Sequence, residues 1–179
     1  MVQQALQGEG RSDLWQVNRK PGRPLAIGRL GPTAYLGVPG NPVAAMVSCE
    51  VFARPLILRL LGWREIARPL LPATAFDRPE NGSARRHFVR VRVEARPDGG
   101  YGCRLAGDQG AGILTSVALA NGLAVVVEGV TAIEAGQPVN VLMLDEQSVA
   151  SRQHSSATTL TEDMDPSLRW GDGMPGCNH

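Results

Sequence analysis

Gly37-Val38-Pro39-Gly40-Asn41-Pro42-Val43-Ala44-Ala45 decides the reading of this chain, because it closes a short apolar strand and opens a helix. Asparagine is a preferred N-cap, and proline fits the first helical position, where an N–H has no partner anyway. The first-turn amides and their aligned dipoles then favour an oxyanion at Pro39, Gly40, Asn41 and Pro42. Taken alone, the same residues are also a rigid turn with a good cap.

The neighbouring residues decide between these two readings. Upstream lies Lys20-Pro21-Gly22-Arg23-Pro24, which holds two cations on a stiff loop with little orientational freedom to lose on binding an anion. The apolar run Leu25-Ala26-Ile27-Gly28 and the strand Ala34-Tyr35-Leu36-Gly37-Val38 follow. After the cap, Val43, Met46, Val47 and Val51 share one helical face, expected to pack on a sheet, and Ser48 and Glu50 fall off it. Pro55 predicts a kink or restart and Gly62 a stop, and Pro69 and Pro72 read as a linker.

From residue 72 the period changes to two. In Arg86 to Ala95, His87, Val89, Val91 and Val93 point one way, and Phe88, Arg90, Arg92 and Glu94 form a polar opposite face. Asp98-Gly99-Gly100 signals a hairpin, and Gly122 to Glu128 and Val139 to Leu144 read as further strands of a small β-barrel. After Asp145, Ser, Thr, Gln, Asp and Gly without periodicity predict a disordered tail.

Composition removes several function classes. The 179 residues, 43% hydrophobic, are enough for a core, and a net charge of +1 gives no field to gather nucleic acid. Three Trp, two Tyr and three Phe give few stacking platforms. No apolar run spans a membrane. Cys49, Cys103 and Cys177 lack disulfide or zinc spacing, which fits a reducing cytoplasm. Cys49 and Cys103 read as small buried hydrophobes, and His87 as a packed or edge residue.

The ordered motifs resemble the C-terminal half of the MoeA-type molybdopterin molybdenumtransferases. The family pattern runs Lys-Pro-Gly-Lys-Pro, apolar strand, Gly-Leu-Pro-Gly-Asn-Pro-Val-Ser. His87-Phe88-Val89-Arg90 is similar to its Phe-x-Arg segment, the run from Gln109 to Leu123 to its Gly-Ser to Asn-Gly block, and Ile133 to Val139 to its closing turn and strand. The resemblance implies an α/β partial domain of the molybdopterin-binding type over residues 1–71, a β-barrel (domain IV-like) domain over 72–145, and a disordered tail over 146–179. It further implies insertion of molybdate into adenylylated molybdopterin with release of AMP, in the cytoplasm. Those two molecules are the substrates, magnesium is the assisting ion, and the protein is a homodimer or the complement of a separate N-terminal half.

Carried over position by position, the molybdate site becomes Lys20, Arg23, Pro24, Arg90 and Ala111, and molybdopterin phosphate falls to Pro39, Gly40, Asn41 and Pro42. Arg23 replaces a point charge by a planar fork, and Ala111 stands where the family has a serine hydroxyl. Ala44 likewise stands where serine is common. Met1 begins where the family's third domain is half built, so magnesium ligands and catalytic acids are expected in the missing half. The alternative is a non-catalytic interaction module that keeps the fold.

Overall fold

The structure, a computed structural model, describes residues 10–110 and 112–145. Strands β1 (Gly10–Gln16), β3 (Pro24–Leu30) and β4 (Thr33–Gly37) form an antiparallel sheet in the order β1-β3-β4. Strand β2 (Arg19–Lys20) leaves that sheet and pairs in parallel with Arg86 and His87. The basic turn is thus hydrogen-bonded to the second half of the chain.

The helix begins as its cap demands. Asn41 is extended (φ −72°, ψ 125°), its Oδ1 accepts from Ala44 N at 3.1 Å, and Pro42 opens α1 (Pro42–Ser48). A π-helical turn at Cys49–Ala53 then leads into α2 (Arg54–Leu60). The wider turn lies just before Pro55, the residue whose ring crowds a preceding α-helical carbonyl, so the expected interruption falls one turn early. Gly62, at φ +84°, ends the helix, with its N–H donating to Arg59 O at 3.1 Å.

Five strands close a barrel: β6 (Arg86–Ala95), β7 (Tyr101–Leu105), β5 (Leu70–Ala75), β9 (Pro138–Met143) and β8 (Gly122–Val126), with β8 pairing back onto β6. Only β5 and β7 run parallel. Val89, Val91 and Val93 of β6, Ala124 and Val126 of β8, and Val139, Val141 and Met143 of β9 are all buried, and alternation on paired strands places them on the inner wall. Gly122 is needed there, since an added Cβ would lie 2.5 Å from Val141 Cγ1.

Several expectations are corrected. The apolar face of α1 packs on the outside of the barrel rather than on a sheet of its own domain: Val47 meets Phe88 and Leu123, flanked by Val51, Val125, Leu142 and Leu144. The sheet β1-β3-β4 is small, and the barrel offers the larger apolar face, so burial favours the barrel at about 1.5–3 kcal/mol per large side chain. The same contact buries Phe88 on the outer face of β6, and Arg90 on that face is buried with Ser116, Asp108 and Gly110, whereas Arg92 and Glu94 are exposed. Met46 is exposed and Ser48 fully buried, because the helix is rotated toward β2. Pro72 is no linker residue; it lies in β5 opposite Asn140. Cys49 is exposed, whereas Cys103 is buried and its thiol is pushed up to about 11 by burial, with Asp77 adding to the rise. The tail expected over residues 146–179 lies outside the described residues.

Asn41→Ala removes the acceptor for Ala44 N and lowers stability by about 1 kcal/mol, read as a shifted midpoint in urea unfolding. An unchanged midpoint would show that the cap does not hold the helix start.

Candidate anion site

Arg19 organises the basic turn. It is only 3% exposed; its Nη1 donates to Pro21 O at 3.0 Å, its Nη2 donates to Ser48 Oγ, and its guanidinium lies 4.9 Å from the centre of the Phe52 ring. Ser48 Oγ in turn donates to Ala44 O at 2.6 Å. Burial lowers the Arg19 pKa to about 10, which leaves it charged at neutral pH, and its Nε is buried without a partner. Such a cation raises the local potential.

Gly22 brings the turn against the helix start. At φ +81° it occupies the left-handed region, and an added Cβ would lie 2.9 Å from Ala44 Cβ and 3.0 Å from Pro39 Cγ. The two motifs are therefore in contact. Ala44, with only a methyl side chain, keeps this contact close. Lys20 is half-buried and Arg23 and Pro24 are exposed, and Val17 N closes the turn onto Arg23 O at 2.9 Å. Among the described residues no carboxylate pairs with Arg19, Lys20, Arg23 or Arg85.

The helix start itself offers less than the sequence promised. Pro42 has no N–H, the cap takes Ala44 N, and Ala45 N donates to Asn41 O at 2.8 Å. The remaining first-turn residue, Val43, is fully buried. The helix start braces the basic turn through Gly22 and through the bond from Arg19 to Ser48.

Arg90 sits further along β6, 1% exposed. Its Nε donates to Ser116 Oγ at 2.8 Å, and its Nη2 donates to Asp108 O at 3.1 Å and Gly110 O at 3.2 Å. Burial lowers its pKa and Asp108 opposes that shift. The Gln109 side chain pairs with the Arg90 backbone like a strand residue, accepting from its N at 2.9 Å and donating to its O at 3.1 Å. On the other edge Asn121 does the same for Val93, at 2.7 and 3.0 Å. Ala111 lies outside the described residues.

His87, the strand partner of Lys20, is buried on the inner wall of the barrel opposite Val126. Its Nδ1 donates to Glu80 O at 2.9 Å, and its pKa is lowered to about 4 by burial first, then by Lys20, with Arg90 and Arg85 adding to the fall. Lys20 pairs with His87 along the strand edge, whereas Arg90 lies three residues further on, on the opposite face of β6. The neighbourhood includes residues the sequence left aside. Arg19 and Arg85 carry no distinguishing pattern, Ser48 shows only as a small residue one turn after Ala44, and Gln109 and Asn121 appear as polar residues before glycines.

An apolar groove of about 420 Å³ between helix and barrel is lined by Val51, Phe88, Val125 and Leu142 with the Glu50–Arg68 pair (2.9 Å). Among the described residues no three His, Cys, Asp or Glu side chains converge on a possible metal position. No described helix is long and apolar enough to cross a membrane.

Residues 73–144 match the family model of the MoeA C-terminal region (domain IV). The chain is 33% identical over 151 residues to molybdopterin molybdenumtransferase 1 of Mycobacterium tuberculosis, covering 80% of this chain and 35% of that protein. It is 33% identical over 134 residues to the molybdopterin molybdenumtransferase of Nostoc sp., covering 72% of this chain and 30% of that protein. Among solved structures, a molybdopterin biosynthesis MoeA protein from Pyrococcus horikoshii shares the fold, with a TM-score of 0.67 and 24% identity over 80% of this chain and 34% of that one. The chain spans about a third of the length of these relatives.

His87 gives a pH signature. Its folded pKa lies near 4 against 6.5 unfolded, so the stability its neutral ring contributes is fully present above pH 6.5. That stability is lost at about 1.4 kcal/mol per pH unit as the pH falls toward 4. His87→Asn keeps a donor for Glu80 O and removes the titration. Urea midpoints of the two proteins should diverge across that window, and parallel curves would contradict the assignment.

Proposed function

This chain matches the C-terminal part of the MoeA-type molybdopterin molybdenumtransferases and belongs to that family, and we propose that it handles molybdate in molybdenum cofactor biosynthesis. In this reading molybdate is inserted into adenylylated molybdopterin with release of AMP. Residues 1–71 supply the basic turn and helix start, residues 72–145 supply the barrel, and the magnesium ligands and nucleotide site come from the N-terminal domains of a complete enzyme.

One observation carries the proposal: Lys20 and Arg23 stand on a braced turn with no described carboxylate to neutralise them, beside the buried charge of Arg19. A tetrahedral dianion needs cations held in advance, because fixed charges lose little freedom on binding and gain strength where water is excluded. Arg90 adds its charge from further along β6, and Pro24, Pro39, Gly40, Asn41 and Pro42 shape the wall that faces the substrate's phosphate.

A second reading, that of an interaction module, is favoured by a different observation. Leu56, Ile57, Leu60, Leu61 and Trp63 in and just after α2 are exposed, with Leu60 at 72%. Such a face is typical of a surface that another layer covers. Both readings agree that the chain works with a partner, either the separate N-terminal half or a second copy.

Two measurements separate them. Titration with molybdate followed by calorimetry should show binding that weakens roughly tenfold or more in Lys20→Ala, the loss expected for a charged contact, and stays unchanged in Arg29→Ala on exposed β3. The chain alone should form no molybdenum cofactor when given molybdate, adenylylated molybdopterin and magnesium, and adding the N-terminal domains of a relative as a separate chain should restore turnover. No molybdate binding, together with tight association of the two halves, would favour the interaction module.

A further inference from the structure

A second group of arginines stands on the outer face of the barrel, on β6, β7 and the turn between them. Ala73 and Ala75 of β5, Cys103 of β7, and Val91 and Val93 of β6 are buried, so the alternating residues Thr74, Arg104, Arg92 and Glu94 point outward, as does Phe76 just past β5. Phe76 N donates to Cys103 O at 2.9 Å, and its ring lies on Gly102, where an added Cβ would collide with it. The guanidinium of Arg104 sits 4.9 Å from the centre of that ring and that of Arg96 sits 5.9 Å from it. Arg96 is engaged elsewhere as well, donating to Thr74 Oγ1 at 2.8 Å and pairing with Asp98. Arg92, directly opposite Arg104 in the register, pairs with Glu94 at 3.2 Å. Arg104 is exposed, and among the described residues the Phe76 ring is its only partner.

We propose that this face is an interaction surface for an acidic segment of a partner protein, with Arg104 as its anchor and Phe76 as the platform that holds the guanidinium. It is independent of the molybdate reading. A guanidinium held over a ring has less freedom to lose on binding, and its planar fork matches a carboxylate with two parallel hydrogen bonds. Like charges directly opposite on paired strands repel, and Arg92 and Arg104 stand so; a carboxylate brought from outside relieves that repulsion. The exposed pair of Arg92 with Glu94 contributes little, so Arg92 can turn to the same carboxylate. Phe76, 37% exposed, adds apolar area beside the fork, and an arginine with an aromatic neighbour is the composition that dominates binding energy in protein interfaces. A net charge of +1 gives no field to gather a polyanion, so a short acidic stretch fits this face better than nucleic acid.

The test is a nuclear magnetic resonance titration of the full 179-residue chain with a synthetic peptide of alternating glutamate and glycine, and with its glutamine counterpart as control. The glutamate peptide should shift the amide signals of Phe76, Arg92 and Arg104 and the Nε–H signal of Arg104, with an affinity that falls as salt is raised. Arg104→Ala, which removes an exposed side chain and should leave the rest of the amide spectrum in place, should weaken the peptide roughly tenfold. Arg104→Lys should recover only part of that loss, because an ammonium cannot hold both carboxylate oxygens in a fork. Arg29→Ala on exposed β3 should change nothing. The proposal would be overturned by unchanged affinity in Arg104→Ala, by equal shifts with the glutamine peptide, or by no shift at all. Shifts centred on Lys20 and Arg23 would likewise overturn it, because they would move the acid to the basic turn. A short single-stranded DNA that binds the same residues more tightly than the peptide would assign the face to nucleic acid instead.

Discussion

A buried arginine with no acid beside it is the constraint on which the rest of this structure turns. Arg19 spends its guanidinium on Pro21 O, on Ser48 Oγ and on the face of Phe52. Those contacts tie the basic turn to the helix, and the pairing of Arg19 and Lys20 with Arg86 and His87 ties the turn to the barrel. Burying a charge is costly unless its surroundings compensate, so a chain that keeps one here gains a turn that cannot swing away. Gly22 completes the arrangement by letting turn and helix start touch.

The turn itself carries Lys20 and Arg23 without an acid partner among the described residues. Other arginines find acids: Arg78 with Glu80 and Glu134, Arg86 with Glu128, Arg92 with Glu94. Exposed pairs of this kind contribute little to stability and mostly settle local charge. Around Lys20 and Arg23 that settling does not occur among the described residues, and His87, neutral because it is buried and because nearby cations add to the effect, brings no further charge. The fold keeps cations available and prevents their number from rising with modest acidification.

How much of this was legible in the sequence follows from the range of each interaction. The N-cap at Asn41, the strand from Arg86 to Ala95 and the turn at Asp98-Gly99-Gly100 depend on neighbours within a few residues, and all three are present as read. The destination of the helix face was not legible, since Val43, Met46, Val47 and Val51 announce an apolar stripe but not whether sheet or barrel receives it. Arg90 illustrates the same limit. Alternation correctly set it on the face opposite Val89, but only the long-range arrival of residues 108–116 turned that polar face into a buried network. Resemblance located the basic turn and the barrel motifs, and passed over Arg19, Ser48 and Ser116, whose roles are purely geometric.

The central claim is that the turn braced by Arg19 is where the oxyanion binds. Diffraction from crystals of the chain grown with tungstate, a heavy tetrahedral analogue of molybdate, tests it most directly through the metal's anomalous signal. The account predicts a single strong peak within hydrogen-bonding distance of Lys20 Nζ, beside Pro39 and Asn41. A peak in the groove between Val51 and Phe88, or on the exposed arginines of β6 and away from Lys20, would contradict it.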